Sequence, residues 1–383
     1  MLSLLFALAE ICFGACPEGN EQKIIITGKE ITGSYSECTE ATELDLGTAL
    51  ETIKDEAFKE LTKLKGPLVL PDTLRTIGVS AFQGTGFTSV DSPKNVEQIG
   101  AHAFDGCLSL VLTGSLPEEL TNIADYTFNM IKGFSSTSTL TIPDSVKTIG
   151  SYSFYEWGSS YKITLELGSS LTSIGSYAFY QNSITGELII PHSVTSIGEY
   201  AFYQCSSITK LNLSYSLTEI GDYAFYACSS ISHELTIPNL VTTIGKYAFY
   251  NLNNLEYIVF GRSVQYIDEY AFYGLVKCLG PLVLPDPVEY IGDCAFSNCS
   301  CNYLRLGDNI TYIGNWAFYG CGGFKGLSRI PSKLVTLGNH SFNNCKQMIA
   351  HINIPNTVNY IGDYAFYNCK RISSLKLGDH VNE

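Results

Sequence analysis

The sequence predicts an α/β repeat solenoid. Each coil, of about 23 residues, has one short parallel strand and a short helical or 3-10 turn. Three observations carry this expectation. A Phe recurs 14 times in one register, at Phe58, Phe82, Phe104, Phe128, Phe154, Phe179, Phe202, Phe225, Phe249, Phe272, Phe296, Phe318, Phe342 and Phe366, with gaps of 22 to 26 residues. The same slots surround each copy: Leu, Val or Ile eight before it, Ile five before it (Leu337 excepted), and Ala, Ser or Thr just before it. The aromatic set is skewed, with 25 Tyr and 20 Phe against 2 Trp, as repetition would produce.

One unit shows why these residues form these elements. Leu211-Asn212-Leu213 alternates in, out, in, the pattern of a half-buried strand. Leu217, Ile220, Ala224 and Phe225 then recur at three- and four-residue spacing, which predicts a helical or 3-10 turn with one buried face. The small residue before Phe lets neighbouring coils approach, and the Gly after Ile marks a bend. Prolines such as Pro143, Pro191, Pro238 and Pro285 end the strand, where no ladder N–H is needed. A single unit cannot bury its apolar face, so stacking is required.

The order Ile208-x-x-Leu211-x-Leu213 and the whole unit, strand-Pro-x-x-Val-x-x-Ile-Gly-x-x-Ala-Phe-x-x-Cys, resemble the BspA-type (Treponema-type) leucine-rich repeat. The resemblance implies a leucine-rich-repeat solenoid over residues 44–383, about 14 full coils plus a partial last one. It also implies a cell-surface or secreted protein of bacteria or mucosal protist parasites. Adhesion to host cells or matrix proteins is what it implies for function. The scaffold itself is reused for many tasks.

The ends carry separate expectations. Residues 1–14 read as a signal peptide, with an apolar run Leu2–Ala9 too short to span a membrane. Residues 15–43 read as an N-terminal cap over the core edge. In an exported chain Cys16 and Cys38 are expected to form a disulfide, with unpaired thiols as the alternative. Leu375-Lys376-Leu377-Gly378 opens a fifteenth copy, from which we expect the reading frame to continue past Glu383. No other stretch reaches membrane-spanning length.

Composition and motifs point away from several functions. Only 16% of residues are charged, against about 25% in ordinary soluble chains. The net charge of −14 argues against nucleic-acid binding, which needs cations to replace counterions. Seven of the 13 Cys stand three after the repeat Phe, a core slot where a free thiol packs as a small hydrophobe. Cys299-Ser300-Cys301 lacks the C-x₂-C spacing and neighbouring His of a zinc site. The six His are scattered, carboxylates are dispersed, and no H-E-x-x-H, G-x-S-x-G or P-loop occurs, so we expect no enzyme, no metal and no cofactor. Asn212, Asn298, Asn309 and Asn339 begin N-x-S/T triplets, candidate glycosylation acceptors.

The outward column of the strands is the candidate binding surface. Its acidic members (Asp45, Asp91, Glu166) come early and its basic ones (Arg305, Arg329, Lys376) late. Between them the strand order sets Tyr257, Val259, Val283, Tyr303 and Arg305 side by side. Tyr and Arg are frequent interface anchors. Two tyrosine columns, two before and one after the Phe, are expected to cover the core flank, with a sugar- or protein-binding stripe as the alternative. The expected partner is a protein on a host cell or in extracellular matrix. The alternative is a self-associating surface coat.

Overall fold

A computed structural model describes residues 11–12, 22–31, 33–91, 94–135, 139–157 and 162–379. The chain divides into two compact units, Met1–Ser183 and Ile184–Glu383. Each is a stack of coils that pair in parallel. Strand Ile11–Cys12 pairs with Glu30–Ile31; the rest of the expected leader, and Cys16, lie outside the described residues. Lys23–Ile25 pairs with Glu43–Asp45, so the ladders already run through residues assigned to a cap.

The outward strands are those expected from the L-x-L pattern. In the second unit Gly186–Ile189 pairs with Ile208–Asn212, His233–Thr236 with Leu255–Val259, and Pro281–Val283 with Tyr303–Arg305. The flanking residues of each triplet, such as Leu235 and Ile237, are buried, and the middle one faces outward.

The turn departs from expectation. Among the described residues there is no helix, α or 3-10. The Ile slot instead forms a second strand per coil. Glu219–Ile220, Thr243–Ile244, Tyr266–Ile267, Tyr290–Ile291, Tyr312–Ile313, Thr336–Leu337 and Tyr360–Ile361 make a seven-stranded parallel sheet in chain order.

Backbone geometry explains why a helix fails. In all 14 coils the residues two before and two after the Phe have positive φ: Tyr223 at 56° and Ala227 at 53° flank Phe225. A left-handed residue every four positions leaves no run long enough for i→i−4 bonds. The N–H groups turn outward to the next coil instead. Tyr223, Phe225 and Ala227 donate to the carbonyls of Lys246, Ala248 and Tyr250 at 2.8, 2.9 and 2.8 Å. The alternate donors fold back three residues, as Tyr226 N–H to Tyr223 O at 3.1 Å. The turn is thus a second hydrogen-bonded ladder along the stack.

Packing follows the same columns. The repeat Phe rings stack face to face, offset, 5.3 to 5.6 Å apart from Phe202 through Phe318, apart from a 5.0 Å step to Phe342. Most are wholly buried, and burying each contributes about 1.5–3 kcal/mol. In the first unit Tyr35 stacks under Phe58 at 5.6 Å, and its N–H donates to Ala57 O at 2.7 Å, the bond a repeat Phe would make. Among the described residues no helix is long and apolar enough to cross a membrane.

Candidate binding surface

The strand face of the second unit changes character along the coils. At Glu187 the face is polar and internally paired: Lys210 Nζ sits 2.7 Å from Glu187 Oε1, and Asn212 Nδ2 donates to the same atom at 2.6 Å. Thr236 Oγ1 donates to Glu234 Oε1 at 3.0 Å. The next coils present Tyr257, Val259, Val283 and Tyr303, exposed 49, 46, 42 and 40%. Arg305 closes this window. Its Nη2 lies 2.8 Å from Asp286 Oδ1 and its Nη1 donates to Leu284 O at 3.0 Å. All five predicted residues therefore lie on two adjacent strand pairs of one face.

Two glycines seat the tyrosines. Tyr257 lies against Gly280 of the next coil: a Cβ on Gly280 would stand 2.6 Å from ring carbon Cδ1. Tyr303 covers Gly326 in the same way, 3.1 Å from Cδ2 and Cε2. Aromatic rings that cover a glycine across a strand pair replace the packing that residue lacks. Leu279, 66% exposed, stands just ahead of Pro281 and adds apolar surface. Sequence reasoning missed Leu279 and both glycine seats. The readable signal is Gly280-Pro281 ahead of Leu282, where Thr209-Lys210 stand ahead of Leu211.

Arg329 does not extend the basic column. Leu304 bridges Leu327, which sets Ser328 beside Arg305 and pushes Arg329 one position on, where it pairs with Asp308. Exposed pairs of this kind contribute little stability.

The tyrosine columns stack as flank cover. Tyr200, Tyr223, Tyr247 and Tyr270 follow at 4.4, 4.7 and 4.6 Å, and Tyr203, Tyr226, Tyr250 and Tyr273 at 4.6, 4.8 and 4.9 Å. Burial raises the phenols of Tyr247 and Tyr250 above their ordinary value.

The repeat cysteines are wired into the backbone. Cys107, Cys228, Cys321 and Cys369 donate S–H to the carbonyl of Phe82, Phe202, Phe296 and Phe342 in the preceding coil, at 3.0 to 3.1 Å. Asn182 takes the slot in its own coil, with Nδ2 donating to Phe154 O at 2.8 Å and Oδ1 accepting from Trp157 N–H at 3.0 Å. In these coils the slot residue donates to a backbone carbonyl, whereas Leu61, Ile131, Trp157, Leu252 and Leu275 fill the same slot with apolar bulk. Burial pushes the Cys107 thiol up to about 11, far from a reactive thiolate. Among the described residues no group of three or more His, Cys, Asp or Glu is placed to hold a metal.

The other marked residues fall as follows. Cys38 is buried and disulfide-bonded. Asn298 Nδ2 donates to Tyr273 Oη at 3.0 Å, Asn309 Oδ1 accepts from Lys333 at 2.8 Å, and Asn339 Oδ1 accepts from Asp363 N–H at 2.7 Å. Asn212 is held by Glu187 on the strand face.

No curated protein matches the chain. Among solved structures it is similar to a leucine-rich repeat protein from Bacteroides ovatus ATCC 8483, with TM-score 0.62, 24% identity, 89% of this chain and 82% of that one covered. It is also similar to one from Eubacterium ventriosum ATCC 27560, with TM-score 0.50, 20% identity, 92% and 91% covered. At such identities the likeness shows the fold. The sequence goes further. Residues 29–157, 129–234, 159–279 and 276–383 each match the BspA type leucine rich repeat region, so overlapping matches run from residue 29 to the last residue. With that coverage and the stacked coils described above, the chain belongs to the BspA-type leucine-rich repeat family.

Proposed function

We infer that this is a surface or secreted recognition protein that adheres to a protein ligand on host cells or in extracellular matrix. The supporting observation is the window of Tyr257, Val259, Val283 and Tyr303, half-exposed apolar side chains on rigid paired strands, with Arg305 at its rim. Rigid aromatic anchors lose little entropy on binding and carry much of the energy of protein interfaces. Membership of the repeat family supports a binding role over a catalytic one.

The test is binding of the purified chain to matrix proteins and epithelial cells, alongside Tyr257→Ala, Tyr303→Ala and Arg305→Glu. Saturable binding that falls about tenfold or more in either tyrosine variant supports the reading. Saturable binding unchanged in all three moves the site off this face. No binding to any of them argues for the second reading, self-association into a coat. That reading draws on the repetition of the flank, where Tyr200, Tyr223, Tyr247 and Tyr270 present the same ring from coil to coil. Concentration-dependent oligomers on size exclusion would support it.

A further inference from the structure

We propose that Cys278 and Cys301 form a disulfide that ties two neighbouring coils beneath the strand face. Both are wholly buried, and their Sγ atoms lie 2.9 Å apart, well inside ordinary non-bonded sulfur contact. Cys278 stands three residues before Pro281 and Cys301 two before Tyr303, so both lie just ahead of the paired strands Pro281–Val283 and Tyr303–Arg305. In-register parallel coils bring such residues within the Cα range a disulfide needs.

The S–H of Cys301 points elsewhere than those of several other buried cysteines. Cys299 and Cys321 each point S–H at a backbone carbonyl, Phe272 O at 3.3 Å and Phe296 O at 3.0 Å. The S–H of Cys301 points at Cys278 Sγ instead. That hydrogen bond holds the Cys278 thiol below its ordinary value, which favours it as the attacking thiolate. Among the described residues no His, Asp or Glu joins the pair to make a metal site.

The oxidant is a disulfide of another molecule. The Cys278 thiolate attacks it, one sulfur leaving as a thiol and the other held in a mixed disulfide. The Cys301 thiolate then attacks Cys278 Sγ and expels the second thiol. Two protein thiols are oxidised and one external disulfide is reduced to two thiols. Because both sulfurs are buried in the finished stack, the exchange belongs to folding, before the next coil closes over Cys301. The bond would form whatever the face binds.

The test is refolding of the reduced full chain in mixed reduced and oxidised glutathione, followed by alkylation in denaturant. Cleavage on the N-terminal side of aspartates separates 268–285, which holds Cys278, from 293–307, which holds Cys294, Cys299 and Cys301. We expect the two fragments to be joined and to part on reduction. The link should persist in Cys299→Ser and Cys294→Ser and vanish in Cys301→Ser. Alkylated Cys278 and Cys301 in the refolded chain would overturn the proposal, as would a link from 293–307 to the fragment holding Cys321.

Discussion

The ring of Tyr257 rests on Gly280: a side chain there would put Cβ 2.6 Å from ring carbon Cδ1. Gly280 does not need a left-handed backbone, so Ala fits the chain and only the ring must move. Gly280→Ala should therefore unseat Tyr257 without disturbing the core. We expect ligand binding to fall about as far as in Tyr257→Ala, roughly tenfold or more. Thermal unfolding should shift by no more than about 0.5 kcal/mol, as for other surface changes. Binding at the parent level, with Tyr257→Ala impaired, would show that the seat does not matter.

Left-handed tyrosines make a second test. Tyr247 has φ 55° and stacks between Tyr223 and Tyr270. Asn adopts that backbone readily, whereas a β-branched side chain pays about 1–2 kcal/mol for it. Apolar cover on this half-buried flank favours Val, by less than about 1 kcal/mol. The backbone effect is the larger. We expect Tyr247→Val to be less stable than Tyr247→Asn in urea, and the reverse order would remove the backbone argument.

The sulfur ladder gives a third. Cys321 is wholly buried and donates to Phe296 O at 3.0 Å. Cys321→Ala removes the donor and leaves a small void. We expect it to cost about 1–2 kcal/mol. Cys321→Ser keeps a donor for that carbonyl and should cost less. Equal losses in the two variants would reduce the slot to simple packing.

The stack was legible because period and core coincide: Ile220, Ala224 and Phe225 recur in phase, and each is buried. The turn was misread because Leu217, Ile220, Ala224 and Phe225 have helical spacing. Spacing records which side chains face inward and is silent on the sign of φ. Two before the Phe, the left-handed slot holds Glu56, Ser80, Tyr223, Cys294 or Trp316 and never Gly, so no residue type announces it. Two after the Phe, Gly or Asn fills eight of the 14 coils, among them Gly84, Gly274, Asn251 and Asn344. That was a readable sign of a turn. The exposed window was legible by column, since Tyr257 and Tyr303 follow from strand alternation. Gly280 and Gly326 were not, because their role lies between coils and not along the sequence.

Alkaline titration tests the half-buried phenols, Tyr155 of the flank column and Tyr290 of the second strand ladder. Burial pushes Tyr155 and Tyr290 up to about 12, from an ordinary value near 10. The unfolded chain therefore ionises these phenols first. Their protonated forms contribute stability that is fully present below pH about 10 and is lost as pH rises through about 12. We expect the urea midpoint to hold steady up to about pH 10 and then fall. Tyr290→Phe should flatten that fall, because Phe keeps the ring against Tyr312, 5.0 Å away, and has no proton to lose. A fall as steep in Tyr290→Phe as in the parent would assign the alkaline transition to other groups.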